Sequence, residues 1–305
     1  MQMKTRLHTR QTTFRQLEIF KVVAERLSVT EAAHQLHLAQ PTVSTQLAKL
    51  SEALNSKLFE QIGKKLYLTD VGEELLRASR ELFEVLDRLE MRLAQRAGLS
   101  VGRLRLGVVT TAKYLVPAPL GAFCRQHPQV DVEFQVGNRA DIKQRLQQNL
   151  DDLYVFSHPP SDLDIDATPL TDNPLVVIAP RDHGLVGRGE LPWSALAGER
   201  LLMRELGSGT RHAIEQHAQS SGLALGQIIT IASNEAIKES VAAGLGLAIL
   251  SRLALTHMAP GNLVELPVQG FPIANRWYLV TAKGKQLSPI AQAFKDFLMQ
   301  HCVQQ

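Results

Sequence analysis

The 305-residue chain has only two cysteines, Cys124 and Cys302, two tryptophans and 5% aromatic residues. Two thiols are too few for a disulfide framework or a cysteine-based zinc site. The longest uncharged apolar run, Val241 to Leu250, falls well short of the roughly 18 residues that span a bilayer. Lys4, Arg6 and Arg10 open the chain, but no apolar h-region follows them, so no secretory signal is expected. A cytoplasmic protein without membrane contact is expected. Charge of one sign is also scarce overall, with 33 Lys and Arg against 30 Asp and Glu.

That near balance hides an asymmetry. Residues 1 to 66 carry ten basic and five acidic side chains, a net +5, and the remainder is −2. A basic head on a faintly acidic body points to a nucleic-acid or membrane-facing N-terminus. Solvated lysines on small helices give the same excess, so pattern must decide.

Phe14, Leu17, Phe20 and Val23 recur at helical spacing, which predicts a helix over 14–27. Ser28, with Glu31 three residues on, caps a second helix over 29–37. Pro41 suits the first turn of a third, whose apolar stripe is Val43, Leu47, Leu50 and Leu54. Three short helices with a tight turn fit a helix-turn-helix. The Leu58–Phe59 and Leu66–Tyr67–Leu68 segments flank Gly63–Lys64–Lys65 and read as a β-ribbon with a basic tip. Asp70, with Glu73, is expected to cap a helix over 70–97, about 42 Å long. Leu75, Leu82 and Leu89 fall seven apart in it, as do Leu86 and Leu93, making a seam for a partner helix that ends at Gly98 and Gly102.

From residue 103 strands and helices alternate. Strands are expected at 104–109, 130–136, 152–156, 175–179, 228–232, 247–250 and 277–281, with helices at 111–126, 139–149, 208–221, 234–243 and 289–301. Residues 169–174 read as a crossing between two subdomains. The organisation expected is a winged helix-turn-helix over 1–69, a linker helix over 70–98, one α/β subdomain from 99–162 and 267–305, and a second from 163–266.

A recognition helix needs small polar residues at its N-terminal end, where it approaches base edges. Gln40, Pro41, Thr42, Ser44, Thr45 and Gln46 supply them. Arg15 and Lys49 are placed for phosphates, and Lys64 and Lys65 for the backbone or minor groove as a wing. In the rear region, polar and basic residues share four strand ends: Thr110, Thr111 and Lys113; Asn138 and Arg139; Ser208, Gly209, Thr210 and Arg211; Asn234 and Lys238. Strand ends facing helix starts are where open α/β sheets gather anionic ligands. Any one of these clusters is also explained by helix capping.

Residues 14–72, from FRQLEIFKVVAERLSVTEAAHQLHLAQPTVSTQLAKL to LFEQIGKKLYLTDVG, closely resemble the winged helix of LysR-type transcriptional regulators. The resemblance extends along essentially the whole chain. It implies double-stranded promoter DNA as a partner, a dimerising linker helix, and an effector region of two periplasmic-binding-protein-like α/β subdomains. It also implies self-association as dimer or tetramer and contact with RNA polymerase. The family commonly has Arg and Glu where this chain has Thr45 and Ser51, so those two contacts are not carried over. Downstream, VTTAKYLVP, VGNR, DDLYVF, GSGTR and SNEAIKESVAAGLGLAILS resemble the CbbR-like subgroup that controls carbon-fixation operons. That resemblance implies a small-molecule effector rather than a cofactor, with a phosphorylated metabolite, an organic acid and NADPH as candidates. It adds Tyr154, in DDLYVF, to the effector-binding candidates.

Catalysis is not supported. Gly244-x-Gly246 lacks the third glycine of a dinucleotide fingerprint, since Ile249 stands there. Leu206 breaks a G-x-S-x-G around Ser208, and no Walker A string occurs. His34 and His37 have no acidic or cysteine partner, and His212 and His217 do not share a helical face. A secreted solute-binding protein has the texture of the rear two-thirds, but the basic helical head argues against it.

Overall fold

A computed structural model describes residues 12–63, 65–96, 102–256 and 262–303. The chain forms two compact units, Met1–Glu90 and Met91–Gln305.

In the first unit, α1 (Phe14–Arg26), α2 (Val29–Gln35) and α3 (Gln40–Ala53) precede the antiparallel hairpin β1 (Phe59–Ile62) and β2 (Lys65–Leu68). Thr13 and Gln16 cap α1 reciprocally, and the Ser28 hydroxyl accepts from the Glu31 N–H to start α2. Ile19, Phe20, Val23, Ala32, Ala33, Val43, Leu47 and Leu50 pack into one core with Leu58, the residue just before the hairpin. The long helix α4 (Asp70–Arg96) follows. Its cap is not Asp70 as expected. The Thr69 hydroxyl accepts from the Gly72 N–H at 3.1 Å while donating to the Lys57 carbonyl at 2.7 Å, which leaves Asp70 inside the first turn. Leu75 and Leu76 belong to the head core, whereas Val85, Leu89 and Leu93 are each more than half exposed at i, i+4, i+8 spacing. The apolar seam is therefore shorter than the full heptad series. Gly98 lies outside the described residues.

The second unit holds two five-stranded mixed sheets. The first lobe runs β3 (Gly102–Val109), a 3₁₀ turn Thr110–Tyr114, α5 (Pro117–Gln126), β4 (Val130–Gly137), α6 (Arg139–Gln147), β5 (Leu153–Phe156) and β6 (Ile165–Asp172). The second runs β7 (Leu175–Pro180), β8 (Arg200–Met203), α7 (Gly209–Ser221), β9 (Gln227–Thr230), α8 (Asn234–Ala242), β10 (Leu247–Ser251) and β11 (Leu263–Leu266). The chain then returns through β12 (Arg276–Ala282) and α9 (Pro289–Val303) to the first lobe, giving sheet orders β4-β3-β5-β12-β6 and β11-β7-β10-β8-β9.

The continuous apolar strands β7 and β10 follow from burial on both faces. Val177 and Ala179 pack into one core with Leu201, Ile214 and Ile249, and the alternate residues Val176 and Ile178 into another with Leu202, Ile237 and Val241. The first lobe packs around Trp277, Phe123, Phe156 and Phe294.

The expected subdomain boundary needs correction. Residues 165–172 are not in the second lobe; Ile165–Asp172 pairs antiparallel with β12 at the edge of the first sheet. Pro169 is tolerated there because an edge strand has a free side. The crossing is shorter, at Asn173–Pro174, and Val268 and Ile273 remain in the second core, so the return lies beyond residue 273 rather than at 267. Among the described residues, no helix is long and apolar enough to cross a membrane.

Candidate nucleic-acid interface and ligand cleft

Burial of Val43, Leu47 and Leu50 fixes the rotation of α3 and turns Gln40, Pro41, Thr42, Ser44, Thr45 and Lys49 to solvent. Gln46 is half-buried, its side-chain oxygen accepting from the Gln16 amide at 3.2 Å, so it ties α3 to α1. The Thr45 hydroxyl donates back to the Pro41 carbonyl at 2.8 Å, which leaves its methyl and lone pairs outward. Arg15 is exposed and paired with Glu18 at 2.6 Å. Lys65 is exposed at the start of β2 beside Gly63, whose φ of +64° serves the hairpin turn; Lys64 lies outside the described residues.

The second unit has a cleft between its lobes. Thr110 and Thr111 reach it from the end of β3, Asn138 and Arg139 from the end of β4, and Ser208, Gly209 and Thr210 from the start of α7. These seven of the twelve expected residues come together with two that the sequence reading missed, Ser157 after β5 and Arg204 after β8. The empty volume is about 220 Å³, mostly crevice, with room for only about one water molecule.

Each wall has a local cause. The Thr110 hydroxyl donates to the Gly137 carbonyl at 2.9 Å, joining β3 and β4 at their ends. Asn138 and Asp141 form a capping box that starts α6 at the cleft. Arg139 donates through Nε to the His158 carbonyl at 3.0 Å. The α7 start has no side-chain cap bond from Ser208, so its first backbone N–H groups are left to the cleft. Two helix N-termini and two arginines, Arg139 and Arg204, thus line the same gap, an arrangement suited to an anion. A Cβ on Gly209 would stand 3.2 Å from the Ser157 hydroxyl, so glycine lets α7 approach the opposite lobe.

The other five expected residues do not line the cleft. Tyr154 is fully buried; its hydroxyl donates to the Arg145 carbonyl at 3.0 Å and accepts from the Asp151 N–H at 2.8 Å, a structural role in the first core. Arg211 is drawn to Glu215 at 2.7 Å, one helical turn away. Asn234 is buried behind Arg204, whose guanidinium bonds to it at 2.8 Å and to Glu205 at 2.8 Å. Lys238 donates to the Ala254 carbonyl at 3.0 Å, and burial lowers its pKa. Lys113 pairs with Glu235 at 2.9 Å. Beside the cleft, burial first and then His212 and Arg139 bring the His158 pKa down to about 4. Among the described residues, no group of three or more His, Cys, Asp or Glu is placed to hold a metal ion.

The family model for the bacterial regulatory helix-turn-helix protein, lysR family, matches residues 14–73, and that for the LysR substrate binding domain matches residues 97–303. The chain belongs to the LysR family. It is a DNA-binding transcription regulator with an effector-binding domain, and its relatives are regulators rather than enzymes. The HTH-type transcriptional activator CmpR of Synechocystis sp. is 46% identical over 290 residues, covering 95% of each chain. A RuBisCO operon transcriptional regulator of Acidithiobacillus ferrooxidans is 41% identical, covering 95% of this chain and 94% of its own. The regulatory domain of Synechocystis CcmR, solved in complex with 2-PG, is 44% identical with a TM-score of 0.63, covering 66% of this chain and 97% of that one. LysR membership assigns the exposed α3 face to the DNA-binding half and the cleft to the effector half.

Proposed function

We propose that this LysR-type regulator controls carbon-fixation genes and responds to a small phosphorylated acid held between its effector lobes. The observation that carries the reading is the convergence of two helix N-termini and Arg139 on one inter-lobe cleft. A phosphate or carboxylate there would accept from backbone N–H groups, from the Thr111, Ser208 and Thr210 hydroxyls, and from Arg139. The relatives named for the RuBisCO operon, and the 2-PG (2-phosphoglycolate) bound to the CcmR regulatory domain, support both parts of the proposal.

On DNA, α3 would enter the major groove with Gln40, Thr42, Ser44 and Thr45 at base edges, while Arg15, Lys49, Lys64 and Lys65 meet phosphates. Gln46 would orient the helix through Gln16. The exposed Val85, Leu89 and Leu93 stripe supports dimerisation through α4. Tetramer formation through the effector units, a cytoplasmic location and contact with RNA polymerase complete the proposal.

Calorimetric titration of 2-phosphoglycolate into the full chain tests the cleft. Saturable binding that Arg139→Ala weakens by about 100-fold is expected, matching about 3 kcal/mol for a charged hydrogen-bonding group. Binding unchanged by Arg139→Ala would place the effector elsewhere.

A further inference from the structure

Glu235, in the first turn of α8, belongs to the second lobe, but its main partners are in the first. Its carboxylate accepts from Lys113 Nζ at 2.9 Å and from the Tyr114 hydroxyl at 2.5 Å. Ser233 adds a bond at 3.1 Å from the same side as Glu235. Lys113 and Tyr114 sit in the 3₁₀ turn whose first residues, Thr110 and Thr111, form a cleft wall. The carboxylate therefore ties a cleft wall to a helix of the opposing lobe.

Partial burial alone would push the Glu235 carboxyl up, but the bonds from Tyr114 and Lys113 together outweigh it and bring its pKa down to about 2. The tie stays charged throughout the neutral range and is no pH sensor there. Across the cleft, α7 closes against the first lobe, with Gly207 facing Ala140 and Gly209 facing Ser157. The part of the gap walled by Thr110, Asn138 and Thr210 holds about one water, far less than a phosphate and a carboxylate joined through two carbons require, while past Arg139 and Ser157 it opens into a hollow of about 520 Å³ beside His158 and His212.

We propose that Glu235 is an affinity-setting positioning residue, whose bridge to Lys113 and Tyr114 holds the lobes in an effector-excluding closure. The apparent dissociation constant is the intrinsic one divided by the fraction of molecules open to ligand. Weakening the bridge raises that fraction and tightens binding, although Glu235 itself touches no ligand. The affinity effect rests on the cleft being the effector site; the closure itself does not.

Two measurements on the full chain separate these parts. Without ligand, Glu235→Gln should speed amide hydrogen exchange at 138–140 and 207–210, on the far cleft walls; rates equal to wild type there would overturn the closure. With 2-phosphoglycolate as probe, Glu235→Gln should bind roughly three- to ten-fold tighter through faster association, with dissociation unchanged. Tyr114→Phe, which keeps the ring and removes one bond, should shift the same way by less. Weaker binding in both variants would overturn the proposal, since the bridge would then favour the bound form. Absence of binding by the wild type would count against the cleft reading, and the exchange rates would still decide the closure.

Discussion

The outer face of α3 and the inter-lobe cleft are both polar surfaces built at helix starts, yet their side chains stand in opposite states. On α3, Gln40, Thr42, Ser44 and Lys49 are exposed on a helix whose rotation is fixed by its buried face. At the cleft, the Thr110 hydroxyl is bonded to the Gly137 carbonyl, Arg139 to the His158 carbonyl and Arg204 to Glu205, and the lobes meet closely at the α7 start. The head presents a surface ready for a partner. On the proposed reading the cleft exchanges internal contacts for ligand contacts, an exchange through which a ligand can shift a conformational equilibrium.

The largest expected effect separates the two units. A Cβ on Gly72 would lie 2.2 Å from the Leu58 carbonyl oxygen, a backbone atom that cannot step aside. Gly72→Ala should cost about 2–3 kcal/mol of head stability and abolish operator binding. Calorimetric binding of 2-phosphoglycolate by the same variant should stay at the wild-type level; its loss would mean that the two surfaces do not behave independently.

Smaller effects resolve the α3 face. Lys49→Ala should weaken all DNA sequences alike and reduce the slope of log affinity against log salt by about one. Thr42→Ala should leave that slope unchanged and relax one base position, by about 1–3 kcal/mol in a binding-site selection. The reverse pattern would exchange the roles assigned to the two residues.

The sequence made the head legible because its determinants are local. Helical periodicity, the Ser28 cap and Pro41 all act within a few residues; the α4 cap moved by one position to Thr69, α2 ends at Gln35 rather than 37, and Gln46 turned toward Gln16. In the effector unit the residue types at strand ends were legible but their pairings were not. Lys113 and Glu235 are 122 residues apart, so no local pattern joins them. The Arg211–Glu215 pair, at i,i+4 on one helix, was visible in principle and argued against a free Arg211. Strand β6 was missed because an edge strand with several exposed residues shows weak alternation. The four-residue β8 was missed too, and Arg204 with it.

A last effect concerns acid stability at the cleft edge. His158 is held neutral down to about pH 4, whereas an unfolded histidine takes up its proton near 6.5. The unfolded state thus binds more protons between those values, so the His158 contribution falls as pH drops from about 6.5 to 4 and levels off below. His158→Gln should flatten that part of the stability profile in denaturant titrations. Glu235, brought down from 4.5 to about 2, contributes in full above about pH 4.5 and loses that contribution as pH falls toward 2.

Footprinting of the full chain on DNA upstream of a carbon-fixation operon, with and without 2-phosphoglycolate, tests the central claim most directly. The account predicts that the ligand alters the wild-type footprint and leaves that of Arg139→Ala unchanged. A wild-type footprint indifferent to the ligand, or an equal response in both proteins, would contradict it.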